Sequence, residues 1–390
     1  MYKNVYLRKG KEESLLRFHP WIFSGAIARA DEGIADGELV RVVTAKGDFI
    51  AMGHFQLGSI AVRVLSFDDE TVDVEFWKRR IDCALQMRRA IGIADNTDNN
   101  TFRLIHGEGD NLPGLVVDCY GTTAVMQAHS VGMHFCRKDI TTALVEVMGN
   151  RISSVYYKSE NTLPFVEQEN GFIYGKSDDD VAVENGLKFH VDWLKGQKTG
   201  FFVDQRDNRS LLEQYAKGKS VLNMFCYTGG FSVYAMRGGA TLVHSVDSSA
   251  KAIQLTQDNV ELNFPGDGRH KAICDDAFKF LEGIGCEYDL IVLDPPAFAK
   301  HRGALHNALK GYTRLNLKAF EKIQPRGILF TFSCSQVVTK DHFRNAVFTA
   351  AAQARRKVRI LHQLHQPADH PINIYHPEGE YLKGLVLYVE

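Results

Sequence analysis

A cysteine and an aspartate are the residues of this sequence best suited to covalent chemistry on a flat ring. Cys334 lies between two serines, directly after an apolar run predicted as a strand, and Asp294 follows an earlier run of that kind. A thiolate can add to an electron-poor carbon, while a carboxyl group can exchange a hydrogen bond or a proton with the ring. The alternative for Cys334 is a small buried thiol, the usual fate of a cysteine. The other six cysteines receive that second interpretation.

Two prolines follow the aspartate. Pro295 and Pro296 predict a rigid, extended exit from the strand, which would hold Asp294 and Phe298 at the edge of a sheet. A planar base could stack on Phe298. The pattern is typical of enzymes that methylate a nucleobase, although it does not indicate which atom of the base reacts. We therefore predict that Pro295, Pro296 and Phe298 bind the substrate.

A strand, a glycine turn and a helix over residues 221–231 predict a site for a nucleotide-like cofactor. Gly229 and Gly230 let the backbone approach a ligand, although a plain strand-to-helix turn is the alternative. Asp247 ends the next strand and could accept hydrogen bonds from a ribose. The alternative is that Asp247 or Ser248 caps the following helix. The turn lacks the GxGxxG spacing, which argues against a nicotinamide oxidoreductase.

A further acidic segment follows the strand predicted at residues 270–274. A carboxylate there could accept a hydrogen bond from an adenine amino group, with an apolar neighbour packed on the ring. We choose Asp276 for this role and keep Asp275 as the second choice. Either residue could instead cap the helix predicted from Ala277.

The elements that must position these residues alternate between strand and helix from Gly186 onward, which predicts a Rossmann-like, mostly parallel sheet. The first ~70 residues hold short alternating runs and no helical pattern before Glu75, which predicts a small all-β domain. A helix over residues 76–93 then leads into a mixed α+β stretch. The predicted fold class is α/β, with domains at residues 1–73, 74–185 and 186–390.

Composition argues against several classes of protein. The 390 residues carry a net charge of -1, so any RNA-binding surface must be local. Seven cysteines without a CxxC pair suit thiols in a reducing compartment better than disulfides or a zinc site. The charged N-terminal segment has no apolar signal core, and no run of about 18 apolar residues occurs. We predict a cytoplasmic protein with no membrane segment and no metal.

Taken together, these motifs resemble the class I S-adenosylmethionine methyltransferases, and more closely the bacterial 23S rRNA 5-methylcytosine methyltransferases of the large-subunit I family. The resemblance covers the whole chain. It includes a segment similar to the family's PUA domain, an RNA-binding β-barrel. The matching segments are residues 19–25 and 36–40 (PUA domain), 103–110 and 112–115 (central domain), 198–206 (cofactor segment), and 369–371 and 380–384 (C-terminal end).

The resemblance implies methylation of carbon 5 of a cytosine in 23S rRNA, with S-adenosylmethionine as cofactor. It implies that Cys334 adds to carbon 6 and that Asp294 acts at the N3 edge. A glycine is common in the family after the segment that matches Ser333, Cys334 and Ser335, and here that position is Gln336. A homodimer is compatible with the resemblance, although no motif indicates one. The residues implied to bind the cofactor are Lys198, Thr199, Gly200, Phe201, Asp204, Arg206, Phe225, Tyr227, Thr228, Gly229, Asp247, Ser248, Asp275, Asp276, Ala277 and Asp294.

Two other functions fit parts of this pattern. The aspartate and its two prolines also suit methylation of a guanine or adenine in RNA, and it is Cys334 that favours cytosine. A non-catalytic RNA-binding protein of ribosome assembly is the alternative outside the enzymes. The residues that argue against such a decayed enzyme are Gly229, Asp247, Asp276, Asp294 and Cys334.

Overall fold

The computed structural model describes residues 2–163 and 170–390, and this part of the chain divides into two compact units. The first unit draws on Met1–Asn185, Val191–Val203 and Ala368–Gly379. The second draws on Gly186–His190, Asp204–Pro367 and Glu380–Glu390. The domain boundaries predicted after residues 73 and 185 stay predictions.

The first unit begins with a six-stranded sheet of order β2-β6-β5-β4-β1-β3. In this sheet β1 pairs with β4 in parallel, and the other pairs are antiparallel. The alternation of the sequence predicts β4 to β6. It does not predict β1 to β3 or the four-residue helix α1, because such short elements do not complete a period. The elements are β1 (Lys3–Leu7), α1 (Glu13–Leu16), β2 (Trp21–Phe23), β3 (Ile27–Ala30), β4 (Leu39–Val43), β5 (Phe49–Phe55) and β6 (Ile60–Ser66).

A long helix, α2 (Val74–Ala90), and a five-stranded sheet of order β11-β10-β9-β8-β7 complete the core of the first unit. The Asp73 carboxylate caps α2 by accepting a hydrogen bond from the backbone N–H of Phe76 at 3.0 Å. The buried face of α2, including Phe76 and Trp77, packs into the same core as the sheet. The elements are β7 (Thr101–His106), β8 (Leu115–Tyr120), β9 (Thr123–Ala128), α3 (Val131–Phe135), α4 (Arg137–Met148), β10 (Ser154–Tyr157), β11 (Gly171–Tyr174) and β12 (Val181–Glu184).

The second unit is built on a seven-stranded sheet of order β16-β15-β14-β17-β18-β20-β19. Its elements are β13 (Leu187–His190), α5 (Arg206–Tyr215), β14 (Ser220–Met224), α6 (Gly230–Arg237), β15 (Leu242–Asp247), α7 (Ala250–Asn263), β16 (His270–Cys274), α8 (Ala277–Gly283), β17 (Tyr288–Leu293), α9 (Leu305–Lys322), β18 (Ile323–Ser333), α10 (Lys340–Gln353), β19 (Val358–His365) and β20 (Lys383–Val389).

Strands β14 to β18 of this sheet are parallel, whereas β20 runs antiparallel to both β18 and β19. The predicted α/β class with a mostly parallel sheet is therefore confirmed. The strand–helix alternation places β14 to β18, because each strand is followed by a helix. None of the described helices combines the length and the apolar character needed to cross a bilayer.

Candidate active site

The carboxyl ends of the parallel strands meet at one edge of the second unit's sheet. In that sheet β14 lies between β15 and β17, and β18 follows β17. Asp247 is the last residue of β15, while Asp294 and Cys334 are the first residues after β17 and β18. Ligands of open α/β sheets bind at this edge, so the predicted residues of the second unit lie where a cofactor and a substrate could meet.

The turn between β14 and α6 is held in an unusual backbone conformation. Phe225, Tyr227 and Gly229 all have positive φ angles, of 58°, 47° and 77°. The side chains of α7 fix the turn, because Thr256 Oγ1 donates to the Tyr227 carbonyl at 2.9 Å and Asn259 Nδ2 donates to the next carbonyl at 2.8 Å. A Cβ on Gly229 would lie 2.6 Å from Thr256 Cγ2. Only glycine therefore suits this position.

Asp247 ties this turn to β15. Its Oδ2 accepts from the backbone N–H of Tyr227 at 3.0 Å, and its Oδ1 accepts from that of Ser249 at 2.9 Å. The cap of α7 is Ser249, whose side chain accepts from the backbone N–H of Ala252. The alternative role predicted for Asp247 or Ser248, capping of this helix, is therefore wrong for both residues. The half-buried Asp247 carboxylate keeps lone pairs that can accept from a ribose.

The acidic pair after β16 has a local structural role. Asp276 caps α8 by accepting from the backbone N–H of Lys279 at 3.0 Å, and its side chain is exposed. Asp275 is half-buried, and its Oδ1 accepts from the backbone N–H of Asp276 at 2.8 Å. Capping leaves further acceptor positions on both carboxylates. A contact of either one with adenine stays a prediction.

Asp294 is oriented by two amides from the start of α5 and the turn before it. Gln205 Nε2 donates to Asp294 Oδ2 at 2.9 Å, and Asn208 Nδ2 donates to Gln205 Oε1 at 2.6 Å. Because Asn208 occupies the Gln205 oxygen, the Gln205 amide presents its N–H to Asp294. A donor at this position stabilises the ionised carboxylate.

Pro295, Pro296 and Phe298 lie in the segment that follows Asp294 at this edge of the sheet. Pro295 is buried and Pro296 is exposed. The Phe298 ring packs on Tyr312 of α9, with ring centroids 4.6 Å apart and an interplanar angle of 33°. The residue is half-buried, so part of it remains exposed to solvent. Stacking of a base on Phe298 stays a prediction.

Cys334 lies against the segment that begins with Asp294. Its Sγ is 4.0 Å from the carbonyl oxygen of Pro295, and the residue is half-buried rather than sealed in the interior. The flanking serines anchor this loop. Ser335 Oγ donates to the Ala299 carbonyl at 2.5 Å, and Ser333 Oγ donates to the hydroxyl of Tyr312 at 2.9 Å. The thiol is thereby presented at the same edge as Asp294.

The predicted cofactor segment before the turn is divided between the two units. Lys198, Thr199, Gly200 and Phe201 belong to the first unit, whereas Asp204 and Arg206 belong to the second. Thr199 is buried, and its Oγ1 donates to Asp118 Oδ2 at 2.6 Å. In the second unit, Asp204 Oδ2 accepts from the Tyr381 hydroxyl at 2.7 Å. The cofactor contacts of this segment stay predictions.

The residues at the edge fit S-adenosylmethionine. A carboxylate at the end of β15 suits a ribose diol, and Gly229 lets the backbone approach the ligand closely. The N-cap of α6 is Gly229, so no side chain caps the first turn of that helix. The first N–H groups of the helix can therefore donate hydrogen bonds to a carboxylate, which is the negatively charged group in the methionine part of the cofactor.

Comparison with known proteins decides the family. A model of S-adenosylmethionine-dependent methyltransferases matches residues 172–377, and a model of PUA-like domains matches residues 5–67. Proteins named ribosomal RNA large subunit methyltransferase I are 42% identical in Aeromonas hydrophila, over 99% of both chains, and 39% identical in an Enterobacter species, over the full length of both. This chain belongs to the ribosomal RNA large subunit methyltransferase I family. The family resemblance of the sequence is confirmed.

Solved structures agree with this family in fold. A Streptococcus mutans protein described as an S-adenosylmethionine-dependent methyltransferase superposes with a TM-score of 0.85 at 23% identity, covering 99% of this chain and 100% of its own. A methyltransferase solved with S-adenosylhomocysteine gives the same TM-score and identity. As a member of this methyltransferase family, the chain uses S-adenosylmethionine as its cofactor.

Three side chains at this candidate site were not predicted from the sequence. They are Gln205, Tyr312 and Lys383. Burial raises the pKa of Tyr312 to about 12, so its hydroxyl stays protonated beside Ser333. Lys383 donates to the loop that follows Cys334. Its only signal in the sequence was its place in the segment 380–384, which resembles the family's C-terminal end.

Proposed function

We propose that this chain methylates carbon 5 of a cytosine in 23S rRNA through a transient bond between Cys334 Sγ and carbon 6. The observation that carries the proposal is that Cys334 and Asp294 follow adjacent parallel strands, with the sulfur 4.0 Å from the Pro295 carbonyl oxygen. The names of the relatives support a ribosomal RNA substrate. The PUA-like match over residues 5–67 supports RNA binding by the first unit.

Cys334 acts as the nucleophile in this scheme. Its thiolate adds to carbon 6, and the electrons of the C5–C6 double bond shift so that carbon 5 becomes nucleophilic. S-adenosylmethionine, when bound, supplies an electrophilic methyl group for carbon 5. Loss of the proton from carbon 5 then re-forms the double bond, breaks the S–C6 bond and returns the thiolate.

Asp294 holds the polar edge of the ring. The hydrogen bond from Gln205 favours its carboxylate form, which accepts from the amino group next to N3 and so fixes the cytosine beside the sulfur. The carbon 5 proton passes to Asp294 or to a water molecule at this edge.

The target base must be unpaired or flipped to reach the site. A homodimer and a cytoplasmic location stay predictions.

Nucleoside mapping tests this function. Unmodified large-subunit RNA is incubated with enzyme and methyl-labelled cofactor, digested, and analysed by mass spectrometry. We expect 5-methylcytidine from the wild type and from Cys286→Ala, which removes an exposed cysteine after α8. Cys334→Ala should bind S-adenosylhomocysteine and yield no product.

Two outcomes of this mapping would overturn the proposal. Labelled guanosine or adenosine in place of 5-methylcytidine would favour the purine-methylating alternative. RNA binding by a wild-type enzyme that binds the cofactor but transfers no label to RNA would favour the non-catalytic alternative.

A further inference from the structure

Lys383 is a buried cation beside the loop that carries Cys334. It is the first residue of β20, where it pairs with Ser333, the residue just before the cysteine. Only 6% of Lys383 is exposed. Its Nζ donates to the Ser335 carbonyl at 2.5 Å and to the Val338 carbonyl at 2.6 Å. The ammonium therefore binds the backbone directly after Cys334 and closes the turn that follows it.

These two carbonyls use two of the three donors of an ammonium group. Burying an ammonium is costly, and a neutral donor could also have bonded these carbonyls. A lysine at this place thus provides something that a neutral side chain would not, namely a positive charge beside the loop that carries the cysteine.

The electrostatic environment of Lys383 agrees with such a pairing. Burial lowers its pKa to about 8, while the negative charge of a Cys334 thiolate raises it. Such coupling is reciprocal, so a cation that is stabilised by the thiolate stabilises the thiolate equally. The titratable and charged groups near this pair are Glu380 and Lys340, which act on the lysine, and Tyr312, on which both Cys334 and Asp294 act.

We propose that Lys383 is a positioning residue for Cys334: the Lys383 ammonium fixes the loop after the cysteine and stabilises the thiolate by its charge. The importance of that thiolate for methylation rests on the proposed function. The charge pairing itself does not, because it can be measured without RNA.

Alkylation of Cys334 measures the thiolate directly. Wild type and Lys383→Met are treated with iodoacetamide from pH 5.5 to 10, and the rate at Cys334 is read from its peptide by mass spectrometry, which separates it from the other cysteines. We expect the midpoint of the profile to move up by at least about one pH unit in Lys383→Met, so that the rate at pH 7 falls about tenfold.

Lys340→Met is the matched control. Its ammonium is more than half exposed and pairs with Glu380 at 2.5 Å, so its removal takes one positive charge from the same region. We expect this variant to keep the wild-type midpoint because water screens its charge. An unchanged midpoint in Lys383→Met, or an equal shift in Lys340→Met, would overturn the proposal.

Lys383→Arg covers the case in which the methionine variant does not fold. It keeps the charge, so its alkylation midpoint should stay within about half a unit of the wild type. A midpoint that rises in Lys383→Arg by a full unit or more would contradict the assignment. If alkylation behaves as expected but the wild type makes no 5-methylcytidine, the proposed function fails while the role of Lys383 in holding the thiolate stands.

Discussion

At the scale of single residues, the site depends on how two reactive groups are oriented. Asp294 receives its hydrogen bond from Gln205, which is itself held by Asn208, and both amides are buried. The geometry gives one oxygen of the Asp294 carboxyl group a fixed hydrogen-bond donor. We therefore expect its supporting amide to affect turnover more than cofactor binding.

Replacing Gln205 with leucine tests this orientation. The change removes a hydrogen bond to a charged group, which typically contributes about 1.5–3 kcal/mol. We expect methylation by Gln205→Leu to slow by roughly 10–100-fold, with the affinity for S-adenosylhomocysteine nearly unchanged by calorimetry.

Gln205→Glu should raise the pKa of Asp294 by adding a second carboxylate, and so move the acidic limb of the pH–rate profile upward. Wild-type rates in both variants would contradict the role of Asp294.

Residue types predicted part of the site and missed the rest for a physical reason. Cys334 and Asp294 could be placed together because each follows a strand, and parallel strands end at one edge. Gln205 and Lys383 come from a turn and from an antiparallel strand whose positions only the packed sheet reveals. No spacing in the sequence brings either residue to the edge.

At the scale of elements, the turn between β14 and α6 is the part most sensitive to change. Its shape depends on positive φ angles and on hydrogen bonds from α7. The strand–helix pattern of the sequence predicts a turn at this place. It does not predict that α7 supports the turn, because the contacting side chains lie about thirty residues later in the chain.

Gly229→Ala should destabilise the protein and weaken cofactor binding. A left-handed φ costs alanine about 1 kcal/mol, and the 2.6 Å contact with Thr256 adds strain. Gly266→Ala is the matched control, since Gly266 has a φ of 69° with no atom within 4 Å of its added Cβ. We expect urea unfolding to show a larger loss for Gly229→Ala, and calorimetry to show weaker S-adenosylhomocysteine binding in that variant alone. Equal effects of the two changes would refute this account of the turn.

The sheet shows the limit of the sequence at this scale. The alternation of strand and helix predicts strands β14 to β18 and the α/β class of their sheet. It does not give β20, which inserts antiparallel between β18 and β19. A buried strand looks the same in sequence whichever way it runs, so the strand that carries Lys383 could not be placed.

At the scale of the whole molecule, pH acts on stability through a buried histidine of the first unit. Burial lowers the pKa of His54 to about 4, and its Cγ would lie 2.1 Å from a Cβ added at Gly132. The folded state therefore binds fewer protons than the unfolded state between pH 6.5 and 4. The stability that the neutral ring provides is present above pH 6.5 and is lost as the pH falls toward 4.

Acidification should thus weaken the fold before it protonates most carboxylates. For a shift of this size, we expect His54 to account for a loss of about 2 kcal/mol in the free energy of unfolding from pH 7 to pH 5. The measurement is urea unfolding at both pH values in wild type and His54→Gln, which lacks a titrating ring. An equal pH dependence in the two proteins would rule out this assignment.

A 5-fluorocytidine RNA tests the bond between Cys334 and a cytosine ring most directly. Fluorine at carbon 5 cannot leave as a proton does, so an adduct that has been methylated stays attached to the enzyme. With cofactor present, we predict a complex that survives denaturing electrophoresis for wild type and Cys286→Ala, and none for Cys334→Ala. A stable complex with Cys334→Ala, or none with a wild type that methylates the unsubstituted RNA, would contradict the covalent mechanism.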